Sequence, residues 1–568
     1  MAKTIVVGGG PAGSIAAITL RKLGQEVELY EKASFPRYRV GESLLPGTLS
    51  LLKRLGLGEK IEKAGFVKKP SATFLWGADQ APWTFSFATS RSAPWICDHA
   101  IQVKREEFDQ MLLEEARERG VSVHQGTAVR SMAVDRLDGV AVRLDSAGVE
   151  KTLEADYLID ASGAGSPLVR QLKNRRYDAF YRSLAVWSYY KRADPFSGAL
   201  KGTTYSITFQ DGWVWMIPLK GDIYSVGVIV DQTKAKELST IGATQFYEET
   251  LAKCQRAMEI LGGAERFDEV RVVQDWSYES DLFSARRFFL CGDSACFTDP
   301  LFSQGVHLAA QSAVCAASAI TRMQRQPEEN AALHLWYNRS YRETYEQYHE
   351  FLASFYTFAS FTEPDSEFWR KRRIAESDDE RLDRRQWFER LGERAQRNDF
   401  SVADFRDRAS TMIAIGRHPR LELSDTFSEA ELNPARLRWI SDLTKQLNAI
   451  KRLEWEGREV RLEPYYKVDP ATFELELKTV LANEHGRRVT KYAVGPAEHQ
   501  IFARLAEMPI GYREAIEQLS EAGRRESSSQ IIIRLLEAGL LNAYDKNGAR
   551  VTIQDRLRFD GVGEEYEV

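Results

Sequence analysis

What this chain of 568 residues lacks narrows its chemistry. No apolar run approaches the ~18 residues that a membrane-spanning helix needs, so no membrane role is expected. Cysteine is scarce: Cys97, Cys254, Cys291, Cys296 and Cys315 are scattered and odd in number, with no zinc-type spacing. Cys291 and Cys296 flank a glycine turn, but no second pair answers them. A reduced, cytoplasmic protein with no metal site is the expectation. Neither charge dominates: 77 Lys and Arg stand against 82 Asp and Glu, a net charge of −5, which gives no bulk attraction to nucleic acid. Internal repeats and low-complexity segments are absent too. The 43% hydrophobic and 28% charged fractions are those of a globular protein, and the length calls for two or three domains.

What is present begins at once. The β-branched run Ala2 to Val7 reads as a buried parallel strand and enters Gly8-Gly9-Gly10-Pro11-Ala12-Gly13, a G-x-G-x-x-G turn. Ser14 to Leu23 reads as a helix stopped by Gly24, and Glu26 to Tyr30 as a second strand ending at Glu31. Glu31 lies 18 positions beyond the last glycine (31 − 13), near the ~20 expected of an acid that grips a ribose hydroxyl. Gly8 allows the tight turn, Gly10 the close approach of a pyrophosphate, and Gly13 close packing of helix on strand. The helix start offers N–H groups and a positive dipole end to phosphates. This motif fits a dinucleotide and leaves FAD and NAD both open.

Two further strands run into glycine turns, Asp156 to Gly163 and Phe288 to Asp293, the latter followed by Asp299-Pro-Leu-Phe-Ser-Gln-Gly305 and a small-residue helix, Val306 to Met323. That helix suits a flat ligand or plain helix–sheet packing. Gly41-Glu42-Ser43 before the helix Leu44 to Leu55 resembles another anion-accepting turn. Mixed β sequence from Leu184 to Val230 contains Trp213-x-Trp215-x-Ile217-Pro218; period two puts both indoles on one face, whether as sheet core or as a wall.

The order and spacing of these turns resemble the FAD monooxygenase superfamily over about residues 2 to 325. Trp213-x-Trp215-x-Ile217-Pro218, with Tyr38 to Pro46 and Asp299 to Gly305, is similar to the signatures of its flavin-dependent halogenases. The fold implied is α/β: an FAD-binding doubly wound sheet with a second mixed β-sheet (about 184–285), together spanning 1–360. A charged helical linker region (361–490) and a winged-helix-like domain (491–568) follow. That tail makes the whole chain most similar to the chloramphenicol-pathway branch of the family.

The resemblance implies that FAD, supplied reduced by a separate flavin reductase, reacts with oxygen and chloride to give hypochlorous acid, which a lysine steers to a substrate held elsewhere. Lys69 matches that lysine; without the family it would read as a solvated Lys-Lys-Pro turn. Trp213 and Trp215 would fill the space beside the flavin. Glu31, Arg39, Ser43, Arg105, Asp293 and Gly305 would join Gly8, Gly10 and Gly13 in holding FAD. Chloride would lie on the backbone N–H groups of Ser303, Gln304 and Gly305. Asp275, read as ending the strand Val270 to Gln274, would hydrogen-bond the flavin or join it as an ester to a ring methyl; a plain turn acid is the alternative. Tyr348 and Tyr356 are candidates for proton transfer. Phe302 stands where tryptophan halogenases carry a glutamate, which argues against free tryptophan and for an acyl group on a carrier protein. Arg370 to Arg373, with Arg381, Arg384 and Arg385, is the densest basic stretch to dock an acidic carrier, or else a solvated face.

Three other functions compete. A one-component FAD hydroxylase would need its own access for a nicotinamide. An isoprenoid reductase would carry glycine where Glu42 stands. A flavin-sensing DNA-binding regulator would need a basic recognition helix, whereas Ser527 to Leu540 is mostly Ile, Leu, Ala and Glu.

Overall fold

The computed structural model describes residues 3–76, 82–87, 97–136, 138–192, 194, 196, 198–363, 365–372, 445–455, 460–483, 504–505, 507–521, 532, 536, 541–551, 558–559 and 565–566. They fall into two units, each with its own core.

The first unit is built on a six-stranded sheet centred on Lys3–Val7. Glu26–Tyr30 and Ser122–His124 lie on one side; Tyr157–Asp160, Phe288–Leu290 and Ser284–Ala285 lie on the other, all parallel except the last pair. The central strand is Ile-Val-Val at its buried end because neighbours and helices cover it on every side. Helices Pro11–Lys22 and Gly305–Arg325 pack on this sheet and on each other, and the Ala-rich face of the second allows close approach. A small antiparallel sheet of Thr127–Ala133, Val140–Ser146 and Val149–Ala155 is appended.

The second large sheet is mixed and wider than the 184–285 expected from sequence. Arg175–Lys191 begins earlier, and Ser71–Leu75, Pro82–Ser86 and Cys296–Phe297 join from outside that range. The pairing of Ser71–Leu75 with Thr204–Phe209 joins residues more than a hundred positions apart, so no local pattern announces it. Strand Arg271–Ser280 also runs straight through Asp275, which pairs with Ser183; the aromatic Trp276 and Tyr278 favour continuation, so the expected strand end is not there. The Asp275 side chain lies outside the described residues. Helix Asn330–Thr362 closes the unit and leads to Glu367–Arg370.

In the second unit, Ile510–Gly511, Arg452–Trp455 and Leu541–Tyr544 form a three-stranded sheet. Leu453, Ile510, Ala515, Leu541 and Ala543 pack around it with helix Tyr512–Glu521. Its core thus starts near Ile450, ahead of the expected boundary at 491, and the region before 491 holds strands rather than a purely helical linker. Most of the other two helices and the second ribbon strand expected of a winged helix, and all of 373–444 with Arg373, Arg381, Arg384 and Arg385, lie outside the described residues.

Candidate active site

A cavity of about 580 Å³ opens where the strands Lys3–Val7, Tyr157–Asp160 and Phe288–Leu290 end, and it reaches the second sheet. Gly8, with φ +103°, turns the chain so tightly that a Cβ there would lie 2.4 Å from the Ala161 carbonyl oxygen. At Gly13 a Cβ would lie 1.8 Å from the Gly8 oxygen, so helix and strand touch through backbone alone. A Cβ on Gly10 would meet only the Arg37 guanidinium, at 3.2 Å, on the cavity wall. No side chain caps the helix that starts at Pro11, and its first N–H groups are the kind of donors a pyrophosphate takes. The lining therefore fits FAD.

Glu31 lines the cavity while its carboxylate receives the N–H groups of Gly9 (2.6 Å) and Ala33 (2.8 Å), which fixes it at the strand end. Arg105 also lines it, but grips Asp109 with two nitrogens (2.8 and 2.9 Å) and donates a third to the Val40 carbonyl. Arg37, passed over in the sequence, shares that aspartate and lines the cavity too. Asp293 opens onto the cavity. Crowding by protein pushes its carboxyl up, and Arg105, Arg39 and Arg175 pull it back. Asp160, by contrast, is spent on Ser162 and Ser166 and serves its own turn.

Trp213, Trp215 and Ile217 all face the cavity, their strand's alternation placing them side by side. The indoles are 6.3 Å apart and tilted by 56°. Trp215 lies over Gly227, where a Cβ would come within 2.1 Å of the ring. Gly227→Ala should therefore displace that indole and cost about 1–3 kcal/mol, read as a fall in thermal stability together with weaker flavin binding. Trp213 donates to the Tyr356 hydroxyl (2.7 Å), which donates to the buried Asp299 carboxylate (2.7 Å). Burial pushes the Asp299 carboxyl up. Asp299 also holds the next loop, accepting from Leu301 N–H and, through its carbonyl, from the Gln304 amide.

The expected anion nest needs one correction. The Ser303 N–H is bonded to the Pro300 carbonyl, because the loop closes a turn with Ser303 at φ +59°. Gln304 and Gly305 stand at the start of helix Gly305–Arg325, where first-turn N–H groups have no intrahelical partner. Ser303 and Gly305 line the cavity; Gln304 is buried behind them.

Lys69 is 2% exposed, so the solvated-turn reading is wrong. It ends strand Val67–Lys69, and its ammonium donates to Ser43 Oγ (2.8 Å) and the Leu44 carbonyl (3.2 Å). Ser43 lines the cavity whereas Lys69 does not, so the hydroxyl separates the two. Tyr348 is buried on helix Asn330–Thr362 away from the lining; Tyr356, two turns on, makes the contacts described above. Phe302 packs against Phe74 and Phe355 in a buried apolar cluster outside the cavity lining. Arg372 is buried and bonded to Asp231 and Ser183, so it is no part of the expected basic face, whereas Arg370 and Lys371 are exposed and Lys371 pairs with Glu367.

Glu42 carries the largest surprise. It is 4% exposed, lines the cavity, and accepts the Tyr189 hydroxyl (2.7 Å). Burial pushes its carboxyl up to about 7, against the pull of Ser225, Tyr189, Arg105 and Arg271.

A dinucleotide cavity walled by paired indoles defines a class, and comparison with known proteins bears this out. The tryptophan halogenase family model matches residues 3–100 and 95–426, and the chain belongs to that family: it is an FAD-dependent halogenase. The model of the chloramphenicol halogenase CmlS C-terminal domain matches residues 439–556. Over 99% of both chains it is similar to the crystal structure of CmlS, a flavin-dependent halogenase, with 61% identity and a TM-score of 0.84. The myxobacterial chondrochloren halogenase CndH is 34% identical, covering 66% of this chain and 87% of its own, with a TM-score of 0.63. Tryptophan 2-halogenase of Chondromyces crocatus is 35% identical, covering 66% of this chain and 71% of its own. The curated relatives are matched over about two thirds of their own length.

Proposed function

We propose that this halogenase chlorinates an acyl precursor of a natural product, presented by a carrier protein in the cytoplasm, with a separate flavin reductase as its source of reduced cofactor. Bound FAD supplies oxygen activation toward chloride; the chain supplies the rest. Gly8, Gly10, Gly13, Glu31, Arg39, Arg105 and Asp293 hold the cofactor, with Asp275 as a site for its attachment. Trp213 and Trp215 exclude bulky molecules from the space beside it. The N–H groups of Gln304 and Gly305, with the Ser303 hydroxyl, take chloride. Hypochlorous acid then passes the Ser43 hydroxyl to Lys69, whose ammonium orients it toward substrate. The observation that carries this reading is the burial of Lys69 behind Ser43, which joins the lysine to the cavity by one hydrogen bond.

What supports the carrier is Phe302, packed on Phe74 and Phe355, at the position where the resemblance implies a glutamate in enzymes that take free tryptophan. Chlorination of an acyl group on its carrier should outrun chlorination of the same acid free in solution. Equal rates would remove the carrier from the reading.

Glu42 is the proton donor of this cavity. A donor whose carboxyl sits near 7 is protonated below that pH and lost above it, so turnover should fall on the alkaline side of about 7. Glu42→Gln should slow turnover and flatten that limb. The same shift has a stability signature: the folded state holds the proton more tightly, so this contribution is present below pH 4.5 and lost as pH rises towards 7. Chemical unfolding of the variant across that window should show a smaller loss.

A further inference from the structure

The indoles of the cavity do not stop at its wall. Trp215 lies 6.3 Å, centroid to centroid, from Trp187, two strands away across Gly227 of the strand between them, and Trp187 is 4% exposed. The Trp187 indole N–H donates to the Tyr38 hydroxyl at 2.6 Å. Tyr38 is 39% exposed. A continuous aromatic path thus leads from the cavity to solvent, through contacts close enough for successive electron transfers.

We propose that Trp215, Trp187 and Tyr38 form a relay that carries a one-electron vacancy from the flavin cavity to the protein surface. The proposal rests on flavin occupying that cavity and on no part of the Lys69 reading.

The hydrogen bonds give the path a direction. Tyr189 uses its proton on Glu42, so in the pair Tyr38–Tyr189 (2.8 Å) it is Tyr38 that donates. When Tyr38 gives up an electron, its phenolic proton therefore has a prepared route to Tyr189 oxygen, while the Tyr189 proton moves to the Glu42 carboxylate. The Arg271 guanidinium, 4.3 Å from the Tyr38 ring centroid, disfavours a radical cation there and favours loss of the proton with the electron. The Trp187 indole has only a phenol oxygen as acceptor, a poor base, so its radical cation persists until Tyr38 reduces it.

With light-excited oxidised flavin as the oxidant, the balance closes. The flavin gains one electron from Trp215, Trp187 refills Trp215, and Tyr38 refills Trp187. Tyr38 ends as a neutral radical and Glu42 as a carboxylic acid. A soluble thiol or ascorbate returns a hydrogen atom to Tyr38. The same route would clear a vacancy left by any one-electron oxidant formed at the flavin, and so spare the cavity indoles.

A competing branch exists: Trp213 also reaches Tyr356, whose proton acceptor is Asp299, but that tyrosine is fully buried. The test is electron paramagnetic resonance of the FAD-loaded protein, frozen under blue light at mildly alkaline pH without halide or reductase. The wild type should show a tyrosyl radical that ascorbate erases. Tyr38→Phe, a change at an exposed site, should lose that signal and leave a tryptophan radical. Trp187→Phe should lose it as well, and Tyr356→Phe should keep it. No tyrosyl radical in the wild type, or one that survives Tyr38→Phe and vanishes in Tyr356→Phe, would overturn the relay.

Discussion

Lys69→Met should leave a folded, flavin-loaded protein that no longer chlorinates. Methionine matches the length of the lysine stem and suits a site that is 2% exposed. The change removes the donor to Ser43 Oγ and the Leu44 carbonyl, costing about 1–2 kcal/mol for two acceptors left short of a partner. Cofactor content should not change, because Lys69 does not line the cavity. Product formation should fall by on the order of 10²–10⁴, the scale for losing a positioned proton-handling group. Oxidation of supplied reduced flavin should continue at near its normal rate. Those two readouts in one sample separate delivery of the oxidant from its formation. A variant that chlorinates at the wild-type rate would free Lys69 from the role and turn attention to Lys68.

Gly13→Ala should have the largest effect on the fold. The new methyl would sit 1.8 Å from the Gly8 oxygen and 2.9 Å from its carbonyl carbon, backbone atoms that cannot swing aside. Helix Pro11–Lys22 must then lift from strand Lys3–Val7, opening the turn that aims N–H groups at the cavity. A loss of about 3 kcal/mol or more is expected, at the upper end for overpacking, and the purified protein should carry little flavin. Denaturant titration and the flavin absorbance of the purified chain check both. Gly24→Ala is the control: its Cβ would meet nothing within 4 Å, so only the cost of its φ of +82° remains.

These two residues also mark what a linear reading can reach. The glycine turn was legible because strand, turn, helix and acid follow one another within about thirty residues, each stage leaving its own local signal. The paired indoles were legible for the same reason, since a period of two needs only three residues to show. Lys69 was found through family resemblance; by itself, a Lys-Lys-Pro stretch reads as surface, and its burial comes from Ser43 and Leu44 folding over it. In the sequence Glu42 reads as part of an anion-accepting turn and as a departure from another family's loop, not as a proton carrier. Its proton affinity depends on burial and on Tyr189, a partner 147 positions away, and no local pattern encodes that. Asp299 and Tyr356 are likewise joined across 57 positions. Tyr348 and Tyr356 could not be told apart by sequence because both lie on one helix, and only packing decides which hydroxyl meets Trp213. Within the basic stretch at Arg370, charge density suggests a surface for every residue, yet Asp231 and Ser183 draw Arg372 inside.

The measurement that bears most directly on the whole account is the mass spectrum of the product. The enzyme would be given a flavin reductase, a nicotinamide, oxygen, chloride and a carrier-bound acyl substrate. Chlorine should replace hydrogen on the acyl group, recognisable by its isotope doublet, and the product should disappear when chloride is omitted. An acyl group that gains oxygen in place of chlorine, at a rate indifferent to chloride, would contradict the account and make the cavity that of a hydroxylase.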